Sequence, residues 1–439
     1  MKKLLSLLLC FSLLFGLCIP VFASPSGTSY YIDAVSGNDE NDGTSPEKAW
    51  KSATKANEHT FVPGERLLLK RGQTHGGNFI PKGSGSEKAT VTVSSYGEGD
   101  APVIHAAKGE FLFLIQNVSY WIIENLEFTS DEYGLYILAH SGYSMENITV
   151  RNCYFHDINP AEKSTNYAAI HIDSQRGSGK ISGIHLDSLR IENVAWGIHT
   201  AGLNAEDDSK IFVRTKDSYN RDYLIENTYI KNAECGGIVL SAVYNGTVKN
   251  CRVLDCATAQ DSAYAPLWMR HCDGVTVEYC EIAGSTNKTD GMAIDFDGWT
   301  VNSTYRYIYS HDNTRFMKNC VFDSKTKNSG NTVSNCISVN DNKRMNWGAI
   351  SLISTRKPSF GRMSEFSFHD NIIVNGTPVL WILTKNPQIE NVSFSSTPFG
   401  SFVQKIFNMF LRLNNFSYTI PANEDIAELT DNITANLPE

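Results

Sequence analysis

One eight-residue pattern returns along most of this chain and constrains its fold more than any other feature. It reads WIIENLEF from Trp121, then ITVRNCYF, IHLDSLRI, YLIENTYI, GTVKNCRV, VTVEYCEI, NTVSNCIS and EFSFHDNI. Aligned, these copies stack Leu126, Cys153, Leu189, Thr228, Cys251, Cys280, Cys336 and Asn371 at one position, with Ile308 in a weaker copy. Successive steps run from 23 to 39 residues. Self-similarity at such a period marks stacked units, each able to bury its apolar side only against its neighbours.

Polar residues keep step with the apolar ones. One position before the stack lie Asn125, Asn152, Ser188, Asn227, Asn250, Tyr279, Tyr307, Asn335 and Asp370. Four positions after it come Asp157, Asn193, Asn232, Asp255, Asp312, Asn340 and Asn375. Asn and Asp tolerate tight-turn geometry and bond nearby backbone. Columns of them one strand spacing apart, ~4.8 Å, are expected to hydrogen-bond from coil to coil. The cysteines of the stack read as small buried apolar side chains.

A further strand precedes most repeats: GLYILAH, AAIHID, WGIHTA, GGIVLS, APLWMR, MAIDFD, WGAISLI and VLWILT. A strand, a turn and two strands meeting at an Asn corner make one coil. The expected fold is therefore all-β, a right-handed parallel β-helix closed by N- and C-terminal caps. Its expected organisation is a leader over residues 1–23, a lead-in and cap over 24–59, the helix over 60–395 and a cap or tail over 396–439. Within the tail, FVQKIFNMFLRL has helix-like apolar spacing and would cover an open end. The segment TRFMKNCVFDSKTKNSG breaks the register, and its first strand cannot be placed by pattern.

Lys2 and Lys3, a Leu/Phe-rich run and Val21-Phe22-Ala23 have the layout of a secretory signal, so a secreted, extracellular chain is expected. Its removal would leave 36 basic against 47 acidic side chains. That balance argues against a nucleic-acid partner or an anionic membrane surface, and no later apolar run is long enough to span a bilayer. Eight cysteines would remain, with no Cys-x-x-Cys pair, which makes a zinc cluster improbable. A monomer is expected.

With the repeats in place, the chain resembles the pectate-lyase-like β-helix superfamily of secreted carbohydrate-active proteins. The segment YYIDAVSGNDENDGTSPEKAW is similar to the start of such proteins, and TFVPGERLLLKRG to a first coil. GMAIDFDGWTVNSTYRYIYSHDN with NTVSNCISVNDNKRMNWGAISL resembles a bacterial secreted subgroup. The likeness covers roughly residues 29–395. It implies the fold, and a substrate cleft on the face of the first strands. The polygalacturonase signatures are absent and the pectate lyase pattern is not cleanly matched, so it does not assign a reaction.

The first strands carry the chemistry. Their inward positions are apolar, as in Ile170, Ile198, Leu267, Ile294 and Phe296. One outward column reads Tyr136, His171, His199, Val239, Trp268, Asp295, Ser351 and Trp381, and its neighbour includes Asp173, Arg270 and Asp297. Asp295 and Asp297, with Cα atoms ~6.8 Å apart on one strand face, suit the acid and base of glycoside hydrolysis. Arg270 would hold one acid ionised, and Asp173 stands in reserve. Trp268 and Trp381 offer sugar-stacking faces, while His171 and His199 would bond hydroxyls or act in proton transfer. The long insertions Gly202 to Arg221 and Ile353 to Ser364 would wall the cleft.

The expected activity is a secreted polysaccharide-degrading glycoside hydrolase that needs no cofactor. Two alternatives stay open. One is a Ca²⁺-dependent polysaccharide lyase, with Asp173, Asp295 and Asp297 as oxygen ligands. The other is a carbohydrate-binding surface protein without catalysis.

Overall fold

A computed structural model describes residues 27–175, 179–202, 220–321, 327–341, 350–354, 362–374, 380–382, 388–389, 392–395 and 430–438. Among the described residues 33 strands join into one parallel-paired sheet wound as a β-helix, and four more form two two-stranded sheets. Each coil pairs with the coil one turn before it: Leu135–Leu138 with Ala168–Asp173, then Arg190–Ala201, Tyr229–Ser241, Leu267–Arg270, Met292–Phe296 and Arg315–Val321. The lead-in strand Ser29–Ile32 already pairs with Arg66–Lys70 in the same sheet.

The Asn corners are left-handed turns. Asn125, Asn152, Ser188, Asn227, Asn250, Tyr279, Tyr307, Asn335 and Asp370 all have φ between 50° and 59°. The second column repeats this: Asp157, Asn193, Asn232, Asp255, Asp312 and Asn340 have φ of 52° to 57°. L-residues other than Gly, Asn and Asp are costly there, which explains the composition of the columns. Their side chains also link coils: the Asn227 amide donates to Asp187 at 2.8 Å and the Asn232 amide to Asn193 at 3.0 Å.

Inside the corners one apolar core runs along the helix, with Phe79 stacked on Phe113 and Phe128 on Phe155 at ring separations of 5.3 and 4.6 Å. All eight described cysteines are free thiols buried in this interior. Several thiols, Cys153, Cys251 and Cys280 among them, donate to the carbonyl two residues earlier, a bond no disulfide could share.

The unplaced coil is Arg315–Val321. Its register pairs Ile294 with Met317, Asp295 with Lys318 and Phe296 with Asn319. Asn319 therefore takes an inward position where a hydrophobe was expected, and Asn328 compensates. The Asn328 amide donates to Asn319 Oδ1 at 2.8 Å and to the Phe296 carbonyl at 3.0 Å. Buried Asn313 and Asn331 staple neighbouring coils in the same way, bonding the Ile282 and Thr300 carbonyls.

Among the described residues no helix is long and apolar enough to cross a membrane. The expected capping helix in FVQKIFNMFLRL lies outside the described residues. What is described of the tail is a helical turn over residues 430–434, with Ile433 buried and the Pro438 carbonyl 3.2 Å from Arg252 Nη1.

Candidate active site

Ile294 and Phe296 are fully buried in the core, so Asp295 and Asp297 point to the opposite side of the sheet, as the alternation requires. The column predicted from sequence is the one observed: Tyr136, His171, His199, Val239, Trp268 and Asp295 are register partners on successive strands. Lys318 then fills the rung that sequence reading missed, and Ser351 and Trp381 follow. The side chain of Trp381 lies outside the described residues, as does most of both predicted cleft-wall insertions.

Pointing away from the core is not the same as facing water. Asp295 is only 4% exposed, and among the described residues its buried Oδ1 has no hydrogen-bond partner. Asp295 and Asp297 thus face outward as expected from the alternation, with Asp295 under cover and the Asp297 Oδ1 likewise buried. The carboxylates that retain surface are Asp297, which is half-buried, and Asp290, whose side chain is 21% exposed. Asp290 opens the loop into the same strand and accepts from Lys318 Nζ at 2.9 Å.

The strand under these groups is held from both sides. Asp297 N donates to the Met269 carbonyl at 2.8 Å, which extends the ladder one residue past Phe296. From within the core, the Tyr305 hydroxyl donates to the Asp295 carbonyl at 2.9 Å. Fixed backbone of this kind keeps side chains at a set spacing.

Burial dominates the electrostatics. It pushes the Asp295 carboxyl well above its ordinary range, against the attraction of Lys318 and with the repulsion of Asp297 and Asp290. It pushes Asp297 up to about 6, opposed by the Lys318 and Arg270 charges and aided by Asp290. Burial alone would pull Lys318 down, yet Asp295, Asp290 and Asp297 around it raise it instead, so the ammonium stays charged. Burial also lowers Arg315, which Asp290 and Asp295 partly restore. A buried lysine amid three carboxyls leaves the most desolvated acids able to hold protons near neutrality.

The remaining predicted residues form a separate group. Asp173 is four strands from Asp295, about 19 Å at the strand spacing. It is also committed locally: Oδ2 accepts from the Tyr136 hydroxyl at 3.2 Å and Oδ1 from Gln175 N at 2.8 Å. His171 lies between Tyr136 and His199, with ring centroids 4.8 and 5.2 Å apart and planes within 11°. Trp196 packs edge-on against His199. His171 is 1% exposed and His199 8%, so their faces are spent on one another rather than open to a ligand. Burial drives His171 well below its ordinary value and His199 to about 4, so both rings are neutral at physiological pH.

At that separation Asp173 cannot share one calcium ion with Asp295 and Asp297, and the Lys318 ammonium is bonded to Asp290. Trp268 is the predicted aromatic that does adjoin the carboxyls: it is the register partner of Asp295 and is partly exposed. Arg270 lies on the same strand, and its charge acts on Asp297.

No protein-family model matches the chain. It is 28% identical to lacto-N-biosidase of Bifidobacterium longum over a match covering 30% of this chain and 12% of that protein. It is 39% identical to alpha-1,3-galactosidase A of Akkermansia muciniphila over 15% of this chain and 11% of that protein. These matches thus span about an eighth of the curated relatives. Among solved structures, the GH136 lacto-N-biosidase from Eubacterium ramulus superposes with a TM-score of 0.66 at 18% identity, covering 84% of this chain and 68% of that one. A mannuronic acid-specific family 6 polysaccharide lyase from human gut microbiota gives 0.52 at 12% identity, covering 87% and 92%. Both likenesses establish the fold, a parallel β-helix of the kind found in carbohydrate-active enzymes.

Proposed function

We propose that this chain is a glycoside hydrolase acting on an oligo- or polysaccharide bound across the strand Met292–Phe296. The observation that carries the reading is the division of labour around Lys318. Asp297 is half-buried and pushed up to about 6, a suitable donor to a leaving glycosidic oxygen near neutral pH. Asp290 also keeps some surface, and its Oδ1 accepts from the Lys318 ammonium at 2.9 Å. We assign it the second carboxyl role, the base that activates water or the nucleophile. Asp295 helps keep Lys318 charged, and Lys318 and then Arg270 oppose the rise at Asp297. Trp268, the register partner of Asp295 and partly exposed, offers an aromatic face to a sugar ring.

The glycosidase names of both curated relatives support hydrolysis over elimination, and so does the lysine amid the acids. A calcium ion beside these acids would meet the repulsion of the buried Lys318 ammonium. The signal-like leader supports secretion.

The test is a product-resolved screen of the purified protein on diverse oligosaccharides, followed by the Asp290→Asn and Asp297→Asn variants on any substrate turned over. New reducing ends without unsaturated uronate absorbance, lost in both variants, are the expected result. Products carrying that absorbance and abolished by chelator would replace the hydrolase with a lyase. Full reducing-end release by both variants would remove these two residues from the mechanism.

A further inference from the structure

A polar concavity lies on a different stretch of the β-helix, on strands near its start. Gly64, Arg66, Lys88, Ala89, Thr90, Thr92, Glu124 and Arg151 line a cleft of about 340 Å³. Its floor is the outer side of Arg66–Lys70, Val91–Tyr96, Trp121–Glu124 and Ser144–Arg151, paired in that order. Its wall is a tight turn in which Ser86 and Ala89 exchange backbone hydrogen bonds at 2.9 and 3.0 Å. That turn is tied to the sheet by Gly85 N, which donates to the Ser119 carbonyl at 3.0 Å, and it carries Lys88. The cleft thus rests on rigid elements, as a binding site requires.

Its charge runs against that of the protein. A chain of formal charge −9 gathers three cations here against one acid. Glu124 is already engaged, since Arg151 Nε and Nη2 both contact its Oε2 at 2.8 and 2.7 Å. Further along the same sheet the pattern is one of matched pairs on adjacent coils. Lys249 meets Glu226 at 3.0 Å and Arg306 meets Glu278 at 2.6 Å. Arg66 and Lys88 break this rule: among the described residues neither side chain has a hydrogen-bond or ion-pair partner. Two unmatched cations beside Thr90 and Thr92 hydroxyls combine charge with neutral hydrogen-bonding groups, and the volume is that of a small-ligand site.

We infer that this cleft is a binding site for an acidic sugar, the carboxylate- or sulfate-bearing end of an oligosaccharide, separate from the candidate active site. Arg66 and Lys88 take the anionic group, while Thr90 and Thr92 face ring hydroxyls. The inference does not depend on the proposed hydrolysis, because it concerns other strands and another class of contact.

Titration calorimetry on the whole chain tests it with four probes: a trigalacturonate, a sulfated disaccharide, a neutral oligosaccharide of equal length and inorganic sulfate. Binding of either acidic sugar, weakening as salt rises, with the neutral sugar and inorganic sulfate at least tenfold weaker, is expected. Arg66→Gln and Lys88→Gln, both at exposed positions, should each weaken that binding roughly tenfold without moving the melting temperature. Equal binding of the neutral sugar, no binding of either acidic sugar, or variants that bind like the parent would overturn the assignment. Inorganic sulfate binding as tightly as the sugars would reduce the cleft to an adventitious ion site and overturn it too.

Discussion

Lys318 Nζ sits 2.9 Å from Asp290 Oδ1 while its Cα stands opposite Asp295 in the parallel ladder. One buried cation thus serves a carboxylate at each end of the strand Met292–Phe296, on the coil before its own. Removing it leaves those acids desolvated and uncompensated. Breaking a buried pair by deleting one partner typically costs about 3–5 kcal/mol, whereas its formation adds little net stability. Lys318→Met should lose stability on that scale in chemical denaturation at pH 7. Lys318→Met with Asp290→Asn should recover part of it. A double variant no more stable than the single one would show that the charge pair does not account for the loss.

Asp297 gives a pH dependence of definite sign. Its carboxyl ionises near 3.9 in an unfolded chain and at about 6 in the fold. Below both values it contributes nothing. As pH rises from about 4 to about 6, the unfolded state releases the proton first, so this group costs stability, fully so above about 6. Asp297→Asn removes that cost. Its advantage over the parent in denaturation midpoint should grow between pH 4 and 6 and then level off. An advantage that is flat or shrinks over this window would contradict the raised ionisation.

The same group predicts the rate profile of the proposed hydrolysis. A donor that ionises at about 6 should make turnover fall as pH rises through that value. Asp297→Asn should lower kcat by about 10²- to 10⁴-fold, the usual worth of a positioned acid. Turnover that keeps rising through pH 7 in the parent would reassign the donor.

Much of this was legible in the residues, for reasons particular ones make plain. Asn227 and Asn250 declared their corners because few side chains accept a φ near 50°. Ile294 and Phe296 declared the register of their strand because only one face is apolar. Lys318 stayed hidden because its neighbour Asn319 takes an inward position, and the partner that makes this tolerable, Asn328, lies in a different part of the coil. Alternation also reports direction, not cover. It set Asp295, His171 and His199 on one face without indicating that all three are buried, or that the histidines stack about three and four strands away from the acid.

His311 offers a check on the outer ion pairs. Burial opposes its charge, but hydrogen bonds to Glu281 at 3.1 Å and Asp312 at 2.9 Å raise its ionisation above the ordinary value. A raised histidine stabilises fully below its unfolded value near 6.5 and loses that contribution as pH rises through the folded one. His311→Gln should therefore cost more at pH 5.5 than at pH 8.5 in thermal melts. A cost independent of pH would mean the imidazolium plays no part.

The Asn corners allow backbone geometry to be separated from side-chain bonding. Asn227 has φ of 50°, donates to Asp187 at 2.8 Å and accepts from the Asn250 amide at 3.3 Å. Asn227→Gly keeps the turn geometry accessible and deletes both side-chain bonds, a loss of about 1–2 kcal/mol for partly exposed groups. Asn227→Ala deletes the same bonds and also forces a Cβ into the left-handed region, adding about 1–2 kcal/mol. The alanine variant should accordingly be the less stable by about 1 kcal/mol, since glycine gives back part of its gain through the freer unfolded chain. Equal losses in the two variants would mean that the coil-to-coil amide ladder, and not the left-handed turn, selects Asn at these corners.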